Sequence, residues 1–458
     1  MQAFHLPGSE APATATHRFG AVEMEVATLS PRDVAREMKS LATAGEAVLA
    51  DRPAAGIIRA MDRVAGRLAD PGDPLRRIAL DLLPGCTGYS PEMAAHTLDR
   101  MAEGWRTGPL TDLVTADLGG TEALDRFVTR AGRTSRAFGH GVAFHLFSGN
   151  VPGVAVTSLV RSLLARTPVL GKSASGEPVL PVLFARGLAE EDPDLGRCVA
   201  VTWWAGGSRP LERAAMEVAD LVVAYGGEDA ISAARALAAE AGRPLLAYGP
   251  RISFGMVGRE RATAETARTA AMALATFDQQ GCVSPHLFYV ERGGECTPET
   301  WAALLSEALG ELTDTLPPGA LSSGERAAVR RVREEAEFAE LAGGGTALWK
   351  GSGSEEAGTV VFDEAPEFHA SCLNRVARVK PLDDLQAVPR LVRPFGRLLQ
   401  TVGIAAEPTR VEELAVALGR LGASRIAPLE RMPWPPAPWH HDGRPPLGDL
   451  VRWCDLEG

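Results

Sequence analysis

Between residues 54 and about 130, apolar side chains recur at three- and four-residue spacing, as at Ile57, Met61, Val64 and Leu68, which predicts a run of helices. The stretch before it reads as an irregular start followed by one helix over 31–49. Past residue 138 the pattern shifts to short apolar runs broken by small residues. Val142-Ala143-Phe144-His145-Leu146-Phe147 reads as a buried strand, Ser148-Gly149-Asn150-Val151-Pro152-Gly153 as a turn, and 154–165 as a helix. Strands over 168–172, 198–204, 221–225 and 244–248 then alternate with helices over 180–189, 210–218 and 228–241. Strands separated by helices of roughly 10 to 15 residues imply right-handed crossovers and a mostly parallel sheet, so the fold class is α/β.

A second α/β region begins near residue 251, with a helix over 264–276, a strand over 286–290, an acidic helix over 298–312, a polar stretch to 337 and a strand over 359–363. The end is proline-rich (Pro433-Trp434-Pro435-Pro436, Pro438-Trp439) and reads as an extended arm covering another surface, its own or that of a second subunit. The expected organisation is 1–250, 251–432 and an arm over 433–458.

Composition narrows the classes. An apolar content of 45% and a charged content of 23% over 458 residues fit an ordinary globular protein of two or three domains. A net charge of −11, spread along the chain, argues against nucleic acid or an anionic membrane surface as partner. No apolar run reaches the roughly 18 residues of a membrane span, and the start Met1-Gln2-Ala3-Phe4-His5-Leu6-Pro7 lacks the features of a signal peptide. The six cysteines are scattered without a Cys-x-x-Cys pair, so neither a disulfide framework nor a metal site is expected, and a reducing cytoplasm is the natural assignment.

One cysteine stands apart. Cys282 lies in Gln279-Gln280-Gly281-Cys282-Val283-Ser284-Pro285, in a loop between a helical and a strand-like run, where a scaffold can present a nucleophile. Gly281 would leave room for a substrate and Pro285 would stiffen the exit; a thiolate there would take an acyl group. The alternative is a buried cysteine acting as a small hydrophobe. Three predicted strands end in glycine turns, Ser148-Gly149-Asn150, Gly206-Gly207 and Gly226-Gly227, where a parallel sheet collects ligands and glycine admits a pyrophosphate, although a Gly-x-Gly-x-x-Gly fingerprint is absent. Lys172, with Ser173 and Ser175, offers a charge and hydroxyls for a ribose or 2′-phosphate, or is a solvated surface lysine. Asn150 is a candidate oxyanion donor, or an asparagine bonded to its own turn. His140, His145 and His286 read better as satisfied core or loop histidines than as proton carriers. Adjacent His440 and His441 would face opposite ways in a strand, so His440-His441-Asp442 is set aside as a metal motif.

These segments, together with Leu170-Gly171-Lys172-Ser173-Ala174-Ser175-Gly176-Glu177-Pro178 and Trp439-His440-His441-Asp442-Gly443-Arg444-Pro445, resemble the LuxC-type acyl-CoA reductases. Those are the fatty-acid reductases of bacterial bioluminescence and their relatives, a branch of the aldehyde dehydrogenase superfamily. The resemblance implies a Rossmann-like cofactor domain, an α/β catalytic domain carrying the nucleophile, and a homo-oligomer. It implies that Cys282 takes the acyl group of an acyl-CoA or acyl-carrier thioester and that NADPH reduces it to a fatty aldehyde, with Asn150 aiding the oxyanion and Lys172 contacting the adenosine ribose or its phosphate. Gly226 and Gly227 would fall at the superfamily's cofactor turn. Gly249 lies in Ala247-Tyr248-Gly249-Pro250-Arg251-Ile252-Ser253, where hydrolytic aldehyde dehydrogenases carry a glutamate that activates water; here there is no carboxylate, which favours reduction. A partner acyl-protein synthetase or thioesterase is a further expectation. The alternatives are a hydrolytic aldehyde dehydrogenase and an acyl-carrying subunit that does not reduce.

Overall fold

Around Gly20 the chain alternates polar and apolar side chains, and it folds as a hairpin of β1 (Thr14–Phe19) and β2 (Val22–Ala27). The expected irregular start is therefore wrong over these residues. Thr14, Thr16, Arg18, Glu23 and Glu25 fill the exposed face, while Phe19, Met24 and Val26 are buried and His17 stacks on Trp203. Gly20 takes φ 57°, and a Cβ there would run into the carbonyl oxygen of Gly85. Ser30 then starts the helix Pro31–Val48 with a capping box, its Oγ accepting from the Asp33 amide while the Asp33 carboxylate accepts from the Ser30 amide. The helical pattern beyond residue 54 resolves into Ala54–Ala69, Pro74–Thr87, Pro91–Gly104 and Thr107–Leu118. It ends earlier than its spacing predicts, because Val128–Arg130 (β3) pairs antiparallel with Arg133–Phe138 (β4). The computed structural model describes residues 1–9, 12–343, 345–351 and 357–457.

The next five strands are short and apolar: β5 (Ala143–Leu146), β6 (Val169–Lys172), β7 (Val199–Thr202), β8 (Leu221–Tyr225) and β9 (Leu245–Tyr248). All pair in parallel, in the order β7-β6-β5-β8-β9, through the helices Val154–Leu164, Leu180–Glu191, Arg209–Val218 and Glu228–Glu240. Alternate residues pack into opposite cores: Ala143, Val169 and Val223 on one face, Phe144, Leu170 and Val222 on the other. The chain builds outward from β5 first through β6 and β7, then on the other side through β8 and β9. Every strand's carboxyl end thus lies on one edge, and the order reverses at β5.

A second sheet runs β12-β13-β14-β11-β10-β15-β16, from β10 (Ile252–Val257), β11 (Pro285–Glu291), β12 (Thr346–Lys350), β13 (Thr359–Asp363), β14 (Val376–Leu382), β15 (Leu399–Ala405) and β16 (Arg425–Ala427). Its pairs are parallel except β12 with β13. The stretch expected to be merely polar contains the helix Ser323–Leu341, which opens with a capping box of Ser322 and Glu325 and buries only Val329 and Ala336. Finally β17 (Arg452–Asp455) pairs antiparallel with β4. The chain divides into two compact units, Met1–Thr87 with Ala94–Gly249 and Pro436–Gly458, and Gly88–Met93 with Pro250–Pro435. Among the described residues, no helix is long and apolar enough to cross a membrane.

Candidate active site

In the first unit, parallel pairing brings the predicted cofactor residues to one edge. Ser148, Gly149 and Asn150 follow β5, Lys172 closes β6, and Ser173 and Ser175 lie just beyond it. Gly206 and Gly207 follow β7, Gly226 and Gly227 follow β8, and Gly249 follows β9. Room exists beside the backbone: a Cβ on Gly206, Gly207 or Gly227 would meet nothing within 4 Å. Gly149 is needed for another reason, because a Cβ there would lie 2.9 Å from the Glu177 amide nitrogen and the Gly176 Cα. Lys172 is half-buried, and burial pushes its ammonium below the usual value while the Glu212 carboxylate acts against that shift. Ser175 Oγ accepts from the Trp203 indole at 3.2 Å. Ser173 Oγ, Thr202 Oγ1 and Trp204 Nε1 are buried without a hydrogen-bond partner among the described residues. Open backbone, a lysine and unsatisfied buried polar atoms fit a sugar-phosphate group.

Glu177 escaped the sequence reading. Its buried carboxylate accepts from the amides of Val179 (2.9 Å) and Leu180 (2.7 Å), at the start of the helix Leu180–Glu191. Burial pushes this carboxyl up to about 7, against the pull of the Leu180, Val179 and Gly153 amides. The histidines behave as core groups. Burial holds His145 down at about 3, with Nδ1 on Ser158 Oγ at 2.9 Å, and lowers His140 as well. His441 is stacked between Tyr248 and Trp439, at ring distances of 4.6 and 4.8 Å.

In the second unit, Cys282 sits in the turn between the helix Ala264–Ala275 and β11, and it is half-buried. Cys86 and Cys198, by contrast, are buried, and burial pushes both thiols up to about 12. The Cys282 carbonyl accepts from Ser253 Oγ at 2.7 Å, and that hydroxyl accepts in turn from the Thr401 amide at 3.1 Å. β10 shifts register against both β11 and β15 around residues 252–255, so an irregular strand turns a serine onto the cysteine segment. Gly281 packs inside the turn, where a Cβ would come within 3.0 Å of the Phe277 ring and 3.1 Å of Ser284 Oγ. Its small size is required by these neighbours.

Phe277, Asp278 and Gln279 all adopt left-handed backbone, with φ of 61°, 47° and 66°. Leu373, Asn374 and Arg375 do the same, at 67°, 58° and 58°. Each such residue costs about 1 kcal/mol or more, so the surroundings must enforce it. The two triplets are bonded to one another. The Asn374 amide donates to the Asp278 carbonyl (3.2 Å), and Gln280 Nε2 donates to Asn374 Oδ1 (2.9 Å). Gln279 donates from Nε2 to the carbonyls of Pro285 (2.8 Å) and Val376 (2.9 Å), and its Oε1 accepts from the Val376 amide (3.0 Å). The Ser371 amide donates to His286 Nδ1 at 3.1 Å, and burial holds that imidazole at about 4, hence neutral.

The fold is that of the aldehyde dehydrogenases. Aldehyde dehydrogenase C from Pseudomonas syringae, solved with NAD+ and octanal, superposes with a TM-score of 0.73 at 15% identity, over 99% of this chain and 96% of that one. The chain belongs to the acyl-CoA reductase (LuxC) family, whose family model matches residues 49–453. The long-chain acyl-protein thioester reductase of Photobacterium phosphoreum is 26% identical over 380 residues, covering 81% of this chain and 74% of that protein. Its counterpart in Aliivibrio fischeri is 26% identical over 396 residues, covering 83% and 78%.

Proposed function

We propose that this enzyme reduces a long-chain acyl thioester, on CoA or on a protein, to the fatty aldehyde, with Cys282 as acyl acceptor and NADPH as hydride donor. The family match over residues 49–453 carries the reading. Cys282 is half-buried, whereas burial holds the Cys86 and Cys198 thiols protonated, and this supports its part in it.

The Cys282 thiolate attacks the thioester carbonyl, forming a new S–C bond; the C–S bond to the donor breaks and the departing thiolate takes a proton. Asn150 supplies an amide donor for the charge on the acyl oxygen. Ser148, Gly149, Lys172, Ser173, Ser175, Gly206, Gly207, Gly226, Gly227 and Gly249 would hold the dinucleotide. A bound reduced nicotinamide supplies the hydride that turns the acyl group into an aldehyde. Release of the aldehyde restores the Cys282 thiolate. The stretch Ala247-Tyr248-Gly249-Pro250-Arg251 offers no carboxylate to activate water, which favours reduction over hydrolysis. An acyl-donating synthetase or thioesterase, a homo-oligomeric assembly and a cytoplasmic location complete the reading.

The test is incubation with a long-chain acyl-CoA and either NADPH or NADH, following loss of nicotinamide absorbance, with Cys282→Ala beside the wild type. Aldehyde from the wild type alone supports the reading. Acyl label retained on Cys282 without nicotinamide oxidation makes the protein a carrier, and reduction that survives Cys282→Ala overturns the mechanism.

A further inference from the structure

We infer that Asp278 and Arg375 are positioning residues for Cys282: their buried ion pair locks the two left-handed triplets together and thereby fixes where the thiol is presented. The inference rests on Cys282 being the acyl acceptor proposed above.

The pair is closed on itself. Asp278 Oδ1 accepts from Arg375 Nε at 2.8 Å and Nη2 at 2.7 Å, and Asp278 Oδ2 accepts from the Gly319 amide at 3.0 Å. The remaining guanidinium donors reach the carbonyls of Leu316 (2.9 Å) and Pro317 (3.3 Å). The side chains are 9% and 1% exposed, so water screens little of the interaction. A planar fork meets one carboxylate and two carbonyls at once, which lysine cannot do. Asp278 and Arg375 each sit within a left-handed triplet, so the contact joins the two strained segments directly. Only Gln279, Gln280 and Gly281 separate Asp278 from Cys282. Of these, Gln279 is tied to β11 and β14, and Gln280 to Asn374. With the pair broken, the triplets can relax to ordinary backbone, and a change of three residues' φ would swing the thiol away from one fixed position.

The experiment compares wild type, Cys282→Ala, Asp278→Asn and Arg375→Lys in the full chain. Acylation is read as the burst of p-nitrophenol from p-nitrophenyl octanoate, and thiol reactivity as iodoacetamide alkylation of Cys282 against pH. Expected for Asp278→Asn and Arg375→Lys is a burst rate lower by about tenfold or more, with the alkylation pH midpoint unchanged. A lowered melting temperature with an unchanged burst would make the pair structural only and overturn the inference. A burst that falls in step with a shifted alkylation midpoint would make its action electrostatic, and overturns it equally. No Cys282-dependent burst in the wild type would sink the reading beneath it, and this inference too. Where neither variant folds, Asn374→Gly serves, since glycine accepts φ 58° and deletes the amide that Gln280 grips; an unchanged burst there would also overturn it.

Discussion

Glu177 and His286 set opposite pH limits on the two units. The Glu177 carboxyl is raised from 4.5 to about 7 in the folded chain, so folding favours its protonated form. The stability it leaves intact below pH 4.5 is lost as pH rises through 7, by about 3 kcal/mol at most. His286 is lowered from 6.5 to about 4, so folding favours the neutral ring, and stability present above pH 6.5 is lost as pH falls through 4. Hydrogen exchange measured across this range should show protection falling with rising pH around Glu177 and with falling pH around His286. Glu177→Gln should flatten the first response. His286→Asn, which keeps an acceptor for the Ser371 amide, should flatten the second. Protection that moves in parallel at both places would contradict these assignments. His286 reads from the sequence as a satisfied core or loop histidine, but the role of Glu177 does not show there, because burial, which makes both titrate abnormally, is a tertiary property.

At the scale of elements, the end of β11 depends on Glu291, fully buried and clamped by Arg410 (2.7 Å), by Arg259 (3.1 Å) and by the Leu385 amide (3.3 Å). Burial alone would raise this carboxyl, but the two arginines and two amides hold it at about 2. Glu291→Gln should cost about 2–3 kcal/mol at pH 7 by thermal or denaturant unfolding. The wild-type contribution should persist above pH 4.5 and vanish as pH falls through 2. In the cysteine turn, Gly281→Ala presses a methyl against Phe277 and Ser284, and should lower stability by about 1–3 kcal/mol while slowing acylation; an unchanged burst and melting temperature would show that the turn has slack. The strands of the first unit were legible because both their faces are buried, leaving continuous apolar runs that end at glycine turns. The hairpin Thr14–Ala27 and the helix Ser323–Leu341 were not, since one carries polar side chains on its open face and the other buries only two residues. Cys282 stood out by its local motif, whereas Arg375 lies 97 residues from the aspartate it pairs with, a distance no local pattern reports.

For the molecule as a whole, division into two units makes ligand effects separable. A dinucleotide that binds only the unit containing β5 to β9 should stabilise that unit by about 2.7 kcal/mol at a hundredfold excess over Kd. Hydrogen-exchange protection on adding NADPH should therefore rise first along Ser148–Gly153 and the ends of β6 and β8. Protection confined to the cysteine unit would displace the cofactor from the sheet edge proposed for it. The last strand carries a different consequence. β17 pairs with β4, and Arg452 reaches the carbonyl of Gly139, 313 residues earlier. At about 5–20 residues per second, a ribosome needs on the order of fifteen seconds to a minute to cover that interval. Throughout that time the nascent β4 has an open hydrogen-bonding edge, which makes it a natural client for a chaperone at the exit tunnel.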